Sequence, residues 1–181
     1  PFITHVSEGF DSETEQDIVT LDRKGGLGDH SVLIHCLAFS ESDMDLVKKK
    51  GATVVWCGDS NMFMYNKTAK IKEMLEKKIN ICIGTDSPMS GGENLLYEMK
   101  FDKKLYKKLY GEELPDETIY RMVTVNPAKG FRLYDSGSIK EGNIADFVVV
   151  KDRGGSYINS VVSASLKDIM LVVMNGLPAY G

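Results

Sequence analysis

The chain has 181 residues, 43% hydrophobic and 27% charged, with a formal net charge of -4. That is enough for one globular core of ordinary size. No basic stretch is interleaved with aromatics, which excludes a phosphate-neutralising nucleic-acid surface, and no apolar run approaches the roughly 20 residues of a membrane span. No signal peptide is visible. Three cysteines, Cys36, Cys57 and Cys82, sit in apolar settings without a Cys-x-x-Cys pair. A structural zinc ribbon is therefore out, and reduced thiols in a cytoplasmic protein are expected. The opening Pro1-Phe2-Ile3-Thr4-His5 has no initiator Met and reads as a strand already under way, so a fragment of a longer chain is expected.

In chain order, Phe2 to Val6 reads as a first strand, and Asp11 or Ser12 as the cap of a helix running to about Asp22. Arg23 to Asp29, with Gly25, Gly26 and Gly28, is a loop. It lacks the preceding strand and the Gly-Lys-Ser/Thr ending that a phosphate loop needs. Ser31 to Cys36 is the second strand, followed by a helix over Glu41–Lys50 that is capped by Ser40 and stopped by Gly51. Ala52 to Trp56 is the third strand, Asn61 to Asn66 a turn, and about Thr68 to Lys78 a helix with Ile71, Met74 and Leu75 on one face. Ile81 to Gly84 is the fourth strand, and Glu93 to Leu109 a further helix. Helices over 116–123 and from Asn126 come next, with Pro127 in a first turn. Strands over 145–151 and 169–174 close the sequence, the second turning back at Asn175-Gly176.

Strand and helix alternating at this rhythm predict parallel βαβ units. No Gly-x-Gly-x-x-Gly follows the first strand, so a nucleotide-binding doubly wound sheet lacks its key. Half of a (β/α)8 barrel fits better, because the strands end in chemistry: His5-Val6-Ser7-Glu8, His35-Cys36, Cys57-Gly58-Asp59-Ser60-Asn61 and Gly84-Thr85-Asp86. Imidazole nitrogens with a carboxylate, and a position left open for water, are what a catalytic zinc or iron site requires. A second free carboxylate is what proton transfer requires. His30, in a Gly-Asp-His loop, reads as a surface residue.

These motifs, in this order with Asn126-Pro127-Ala128-Lys129 and the stretch Gly137-Ser138-Ile139 through Ala145-Asp146-Phe147, resemble the second half of an amidohydrolase-superfamily enzyme. The branch they resemble holds the cytosine, guanine, chlorotriazine and S-adenosylhomocysteine or thiomethyladenosine deaminases. The resemblance implies an α/β fold. Residues 1–135 would be strands five to eight of a (β/α)8 TIM barrel, and residues 136–181 part of a small β-sandwich. It implies that His5 and Asp86 bind a divalent metal, zinc with iron as the alternative. Glu8 would pass a proton to the substrate ring, His35 would lie against the attacking water or the substrate, and Asp86 would take that water's proton. Ser60 and Asn61 would shape the substrate pocket. Two departures stand out: the family's His-x-His of barrel strand one has no counterpart, so two further ligands are expected from a missing N-terminal part, and Gly58 replaces the usual Pro of a Cys-Pro-x-Ser-Asn turn.

The activity implied is hydrolytic deamination of an aminated heterocycle, with amide C–N hydrolysis or C–Cl hydrolysis by the same water as the alternative. Alone the fragment is expected to be inactive. A non-catalytic half-barrel acting as an interaction module is the competing class, and it would pair its open sheet edges with a second copy or a missing half.

Overall fold

A computed structural model describes residues 1–181. Strands β1 (Phe2–Val6), β2 (Ser31–His35), β3 (Thr53–Trp56) and β4 (Asn80–Ile83) form one parallel sheet in the order β1-β2-β3-β4. The register pairs Val6 with His35 and Trp56 with Ile83, so the strands finish together at one rim. The order never reverses, and the sheet has no switch point of the kind at which a doubly wound fold binds a dinucleotide. The Gly25–Gly28 loop enters β2 from a helix and lies at the opposite end of the sheet.

Between the strands run helices α1 (Asp17–Arg23), α2 (Glu41–Lys50), α3 (Gly58–Tyr65) and α4 (Ile71–Glu76). Helix α2 is fixed by a reciprocal capping box: the Asp43 N–H donates to Ser40 Oγ, and the Ser40 N–H donates to Asp43 Oδ2. Its acidic first turn and three terminal lysines complement the helix dipole, and Gly51 ends it at φ 75°. Before α1, Asp11 Oδ1 does accept from the Glu13 and Thr14 amides, as a cap should. The chain nevertheless turns first through a short 3-10 segment, Thr14–Gln16, and becomes α-helical only at Asp17.

Two expectations over 61–78 need correction. Asn61–Asn66 is not a turn but most of α3, which Asn66 closes at φ 50°. The periodicity there misleads, because the buried side of α3 carries Gly58, Ser60 and Asn61 while Phe63 points outward, 72% exposed. Helix α4 is also shorter than the stretch from Thr68 to Lys78, since Lys78 at φ 57° already turns the chain into β4.

Helix α5 (Leu95–Tyr110) is capped by Asn94, whose side chain accepts from the Tyr97 N–H at 2.9 Å. Helices α6 (Asp116–Met122) and α7 (Val125–Phe131) then pack against β4. Asn126 Nδ2 donates to the Ile81 carbonyl at 2.8 Å, and Asn80 Nδ2 donates to the Asn126 carbonyl at 3.0 Å, so α7 is pinned along that strand. Strand β1 has no such cover, and Phe2, Ile3 and His5 are exposed. The core joins Leu33, Val54, Trp56 and Ile81 of the sheet to Met44, Met74, Met99, Ile119 and Met122 of the helices. All three cysteines are buried free thiols, and burial pushes Cys82 up to about 12.

The last strands, β5 (Phe147–Val150), β6 (Ile169–Met174) and β7 (Leu177–Tyr180), make a separate antiparallel sheet in that order. Asn175 and Gly176 turn between β6 and β7 with φ 51° and 78°, the signs a type I′ hairpin requires. Helix α8 (Tyr157–Val162), between β5 and β6, packs back on α5 and α6 and delivers Val162 to the main core. No helix is long and apolar enough to cross a membrane.

Candidate metal and proton-transfer site

The rim is built from unusual backbone. Ser7, His35, Cys36 and Asp86 all have left-handed φ, at 51°, 74°, 55° and 57°. For a residue with a Cβ this conformation costs about 1–2 kcal/mol, and it persists only where the surroundings impose it. Here they do. The Cys36 N–H donates to both the Val6 and Ile34 carbonyls, at 3.1 and 3.2 Å, and the second bond closes a tight turn around His35. The Ser7 carbonyl accepts from the Leu37 and Ala38 amides, and the Ser7 N–H donates to Asp17 Oδ2 at 2.9 Å.

These turns aim three side chains at one point. Ligand atoms of His5, Glu8 and His35 lie within 4.8 Å of one another. The two imidazoles stack with centroids 5.3 Å apart, and His35 Nε2 is 3.4 Å from Glu8 Oε1. His35 is 1% exposed, Glu8 partly buried and His5 open to solvent. The other face of His35 is fixed by Asn61, whose Oδ1 lies 2.9 Å from Nδ1. Thr68 Oγ1 sets the orientation of that amide, accepting from Asn61 Nδ2 at 3.3 Å and from Trp56 Nε1 at 2.8 Å. With a carbonyl oxygen facing it, Nδ1 carries the proton in the neutral ring, and Nε2 presents its lone pair toward Glu8 and His5.

Asp86 reaches the same rim from the end of β4 but lies outside this group of three. Its Oδ2 accepts from Ser60 Oγ in a short bond and from Ser90 Oγ at 3.0 Å. Burial pushes its carboxyl up, but the two hydroxyls, with the His35 ring beside them, outweigh that and leave it below its ordinary value. Ser60 and Asn61, adjacent on α3, thus divide their work: Ser60 holds Asp86 and Asn61 holds His35. His30 lies at the far end of the sheet beside Asp29, on the surface as expected.

Four contributors have no motif in the sequence. Ser90 and Thr68 are ordinary loop residues, Tyr65 donates from its hydroxyl to the Glu8 carbonyl at 3.1 Å, and Asp17 ties down Ser7. Only the three-dimensional hydrogen bonds pick them out. Two imidazoles and two carboxylates thus meet at one rim, with ligand atoms of His5, Glu8 and His35 within 4.8 Å of one another, and among them are both the ligand types that zinc and iron take up and the carboxylates that proton transfer needs.

Known proteins resemble this chain over most of its length. The profile of the Amidohydrolase family matches residues 2–177. A 5-methylthioadenosine/S-adenosylhomocysteine deaminase of Syntrophobacter fumaroxidans is 33% identical over 165 residues, 84% of this chain but 37% of that protein. Among solved structures, an adenosine deaminase from Xanthomonas campestris with bound zinc superposes with a TM-score of 0.89 at 22% identity, covering 98% of this chain and 45% of that one. Atrazine chlorohydrolase TrzN from Arthrobacter aurescens, complexed with zinc, gives 0.86 at 21% identity, covering 97% of this chain and 43% of that one. At these identities the structural likeness shows the fold. The chain spans less than half the length of these relatives.

Proposed function

Because the chain belongs to the Amidohydrolase family, we propose that it carries the proton-transfer half of a metal-dependent aminohydrolase acting on an aminated heterocycle. The convergence of His5, Glu8 and His35 within 4.8 Å at the rim that also receives Asp86 is the observation behind it. In this reading residues 1–135 are strands five to eight of a (β/α)8 barrel with their helices, and 136–181 contribute to a small β-sandwich. His5 and Asp86 would hold a divalent ion, zinc in preference to iron. When bound, such an ion lowers the pKa of a water toward neutrality. Asp86, held as the carboxylate by Ser60 and Ser90, would take a proton from the attacking water. Glu8 stands where it could hand a proton to a ring nitrogen, and the buried His35, locked by Asn61, would steady negative charge on the attacked carbon's substituents in the state in which its Nε2 carries a proton. Adenosine-type substrates are the first class to screen, on the names of the relatives, and buried reduced thiols agree with a cytoplasmic setting.

The test is ammonia release by the full-length protein over purines, pyrimidines, pterins and triazines, before and after chelation. Turnover of one ring class that chelation abolishes and zinc restores is the expected result. Full turnover after complete metal removal would overturn the assignment.

The exposed β1 edge bears on the 181-residue chain alone. Unpaired N–H and C=O groups on a strand beside Phe2 and Ile3 are a template for another chain. Sedimentation of this chain is expected to show self-association that rises with concentration, and a monomer at all concentrations would remove the partner argument.

A further inference from the structure

Helix α3 has no cap of its own. Cys57, at its N-cap position, makes no side-chain bond to the first turn, although that turn carries Ser60 and Asn61. The donor is satisfied from outside: Glu98 Oε1, on α5, accepts from the Asp59 N–H at 3.0 Å. Four residues on, and so on the same face of α5, stands Asp102. Both acids are 0% exposed, and Glu98 Oε2 and both carboxyl oxygens of Asp102 have no hydrogen-bond partner.

The glycine at the start of α3 is shaped to this pair. A Cβ on Gly58 would lie 1.8 Å from Asp102 Oδ1, so a side chain there would force the buried Asp102 carboxyl to shift. Gly58 does not have left-handed φ, and the glycine therefore supplies room, not conformational freedom. Burying carboxyl groups without full hydrogen bonding works against folding, and an apolar side chain at 102 would pack more favourably. Burial raises both carboxyls above their usual range, Asp102 well above, its neighbours Glu98 and Asp59 adding to the rise, while the Asp59 N–H partly offsets it for Glu98.

We propose that Glu98 and Asp102 form a buried seat for the N-terminus of α3, and are positioning residues for Ser60 and Asn61. Glu98 takes a first-turn N–H that α3 itself leaves unpaired, where the helix dipole favours an acid. Asp102 fills the space beneath Gly58 and fixes how deeply α3 sits. Through Ser60 and Asn61 the seat sets the Asp86 carboxylate and the His35 ring. Its catalytic consequence presupposes the aminohydrolase assignment above, but the placement of α3 does not.

The test therefore begins without metal or substrate. In the 181-residue chain, Glu98→Ala is expected to speed hydrogen exchange at the Asp59 amide about tenfold or more. It should also shift the ring-nitrogen NMR signals of His35. Glu98→Gln, which keeps an acceptor oxygen, should recover most of both. Gly58→Ala should be destabilising, and the double variant Gly58→Ala/Asp102→Ala should recover stability, because the Cβ then has room. In the full-length enzyme, Glu98→Ala should lower kcat about 10- to 100-fold with KM little changed, the scale for groups that orient functional ligands. Exchange rising uniformly across β2 and β3 with unchanged His35 signals would mean a merely structural role and overturn the proposal. So would a double variant no better than Gly58→Ala. Altered His35 signals in a full-length protein that shows no deaminase activity would leave the seat standing and remove the aminohydrolase reading instead.

Discussion

Asp86→Asn in the full-length enzyme is expected to reduce kcat/KM by about two to four orders of magnitude, the scale for a positioned acid–base group. The substitution isolates chemistry from shape. Asparagine keeps an oxygen that can accept from Ser60 and Ser90, whose hydroxyls now converge on Asp86 Oδ2. What it loses is the negative charge and the capacity to take a proton. His30→Ala is the control, since His30 sits on the surface at the far end of the sheet. Steady-state kinetics of the two variants settle the matter. A loss from His30→Ala as large as that from Asp86→Asn would mean that the site has been placed at the wrong rim.

The largest effect on stability is expected at Trp56. Its side chain is 0% exposed at the end of β3, packed into the core between strands and helices. Trp56→Ala should destabilise the chain by about 3–5 kcal/mol, the range for truncating a buried large aromatic. Typical domains have only about 5–15 kcal/mol in total. The indole N–H also donates to Thr68, which orients Asn61, so the loss should reach His35 before global unfolding does. Urea unfolding followed by far-ultraviolet circular dichroism measures it, because Trp56 is the only tryptophan and its fluorescence goes with it. A change under about 1 kcal/mol would contradict the packing described here.

The parallel sheet and the strand-end residues were legible in the sequence because apolar runs and His, Glu and Asp at strand ends are local signals. Helix α2 was equally plain, since Ser40, Asp43 and Gly51 are capping residues at the right spacing. Helix α3 was hidden for the opposite reason. It buries small and polar residues and exposes Phe63, which inverts the pattern on which periodicity depends. Helix α8 is six residues long and is held by packing on α5 and α6, and nothing within the segment announces it. Glu98 and Asp102 lie on a helix that also carries Lys100, Lys103, Lys104, Lys107 and Lys108, and only the fold reveals that the acids' own face is turned inward.

The left-handed backbone at Ser7, His35, Cys36 and Asp86 also bounds what evolution can write at this rim. Valine, isoleucine and threonine are poorly tolerated there, because a branched Cβ collides with the turned carbonyl. Asparagine, aspartate, histidine and glycine are the residues that accept such a bend most readily. The same sharply turned strand ends that aim the chemistry therefore disfavour branched side chains at four rim positions, two of which, His35 and Asp86, carry candidate site groups. New substrates can be reached through the loops beyond the rim. The rim itself is less free to drift, and a lineage that loses the activity would be expected to show glycine at these positions before it shows a branched side chain.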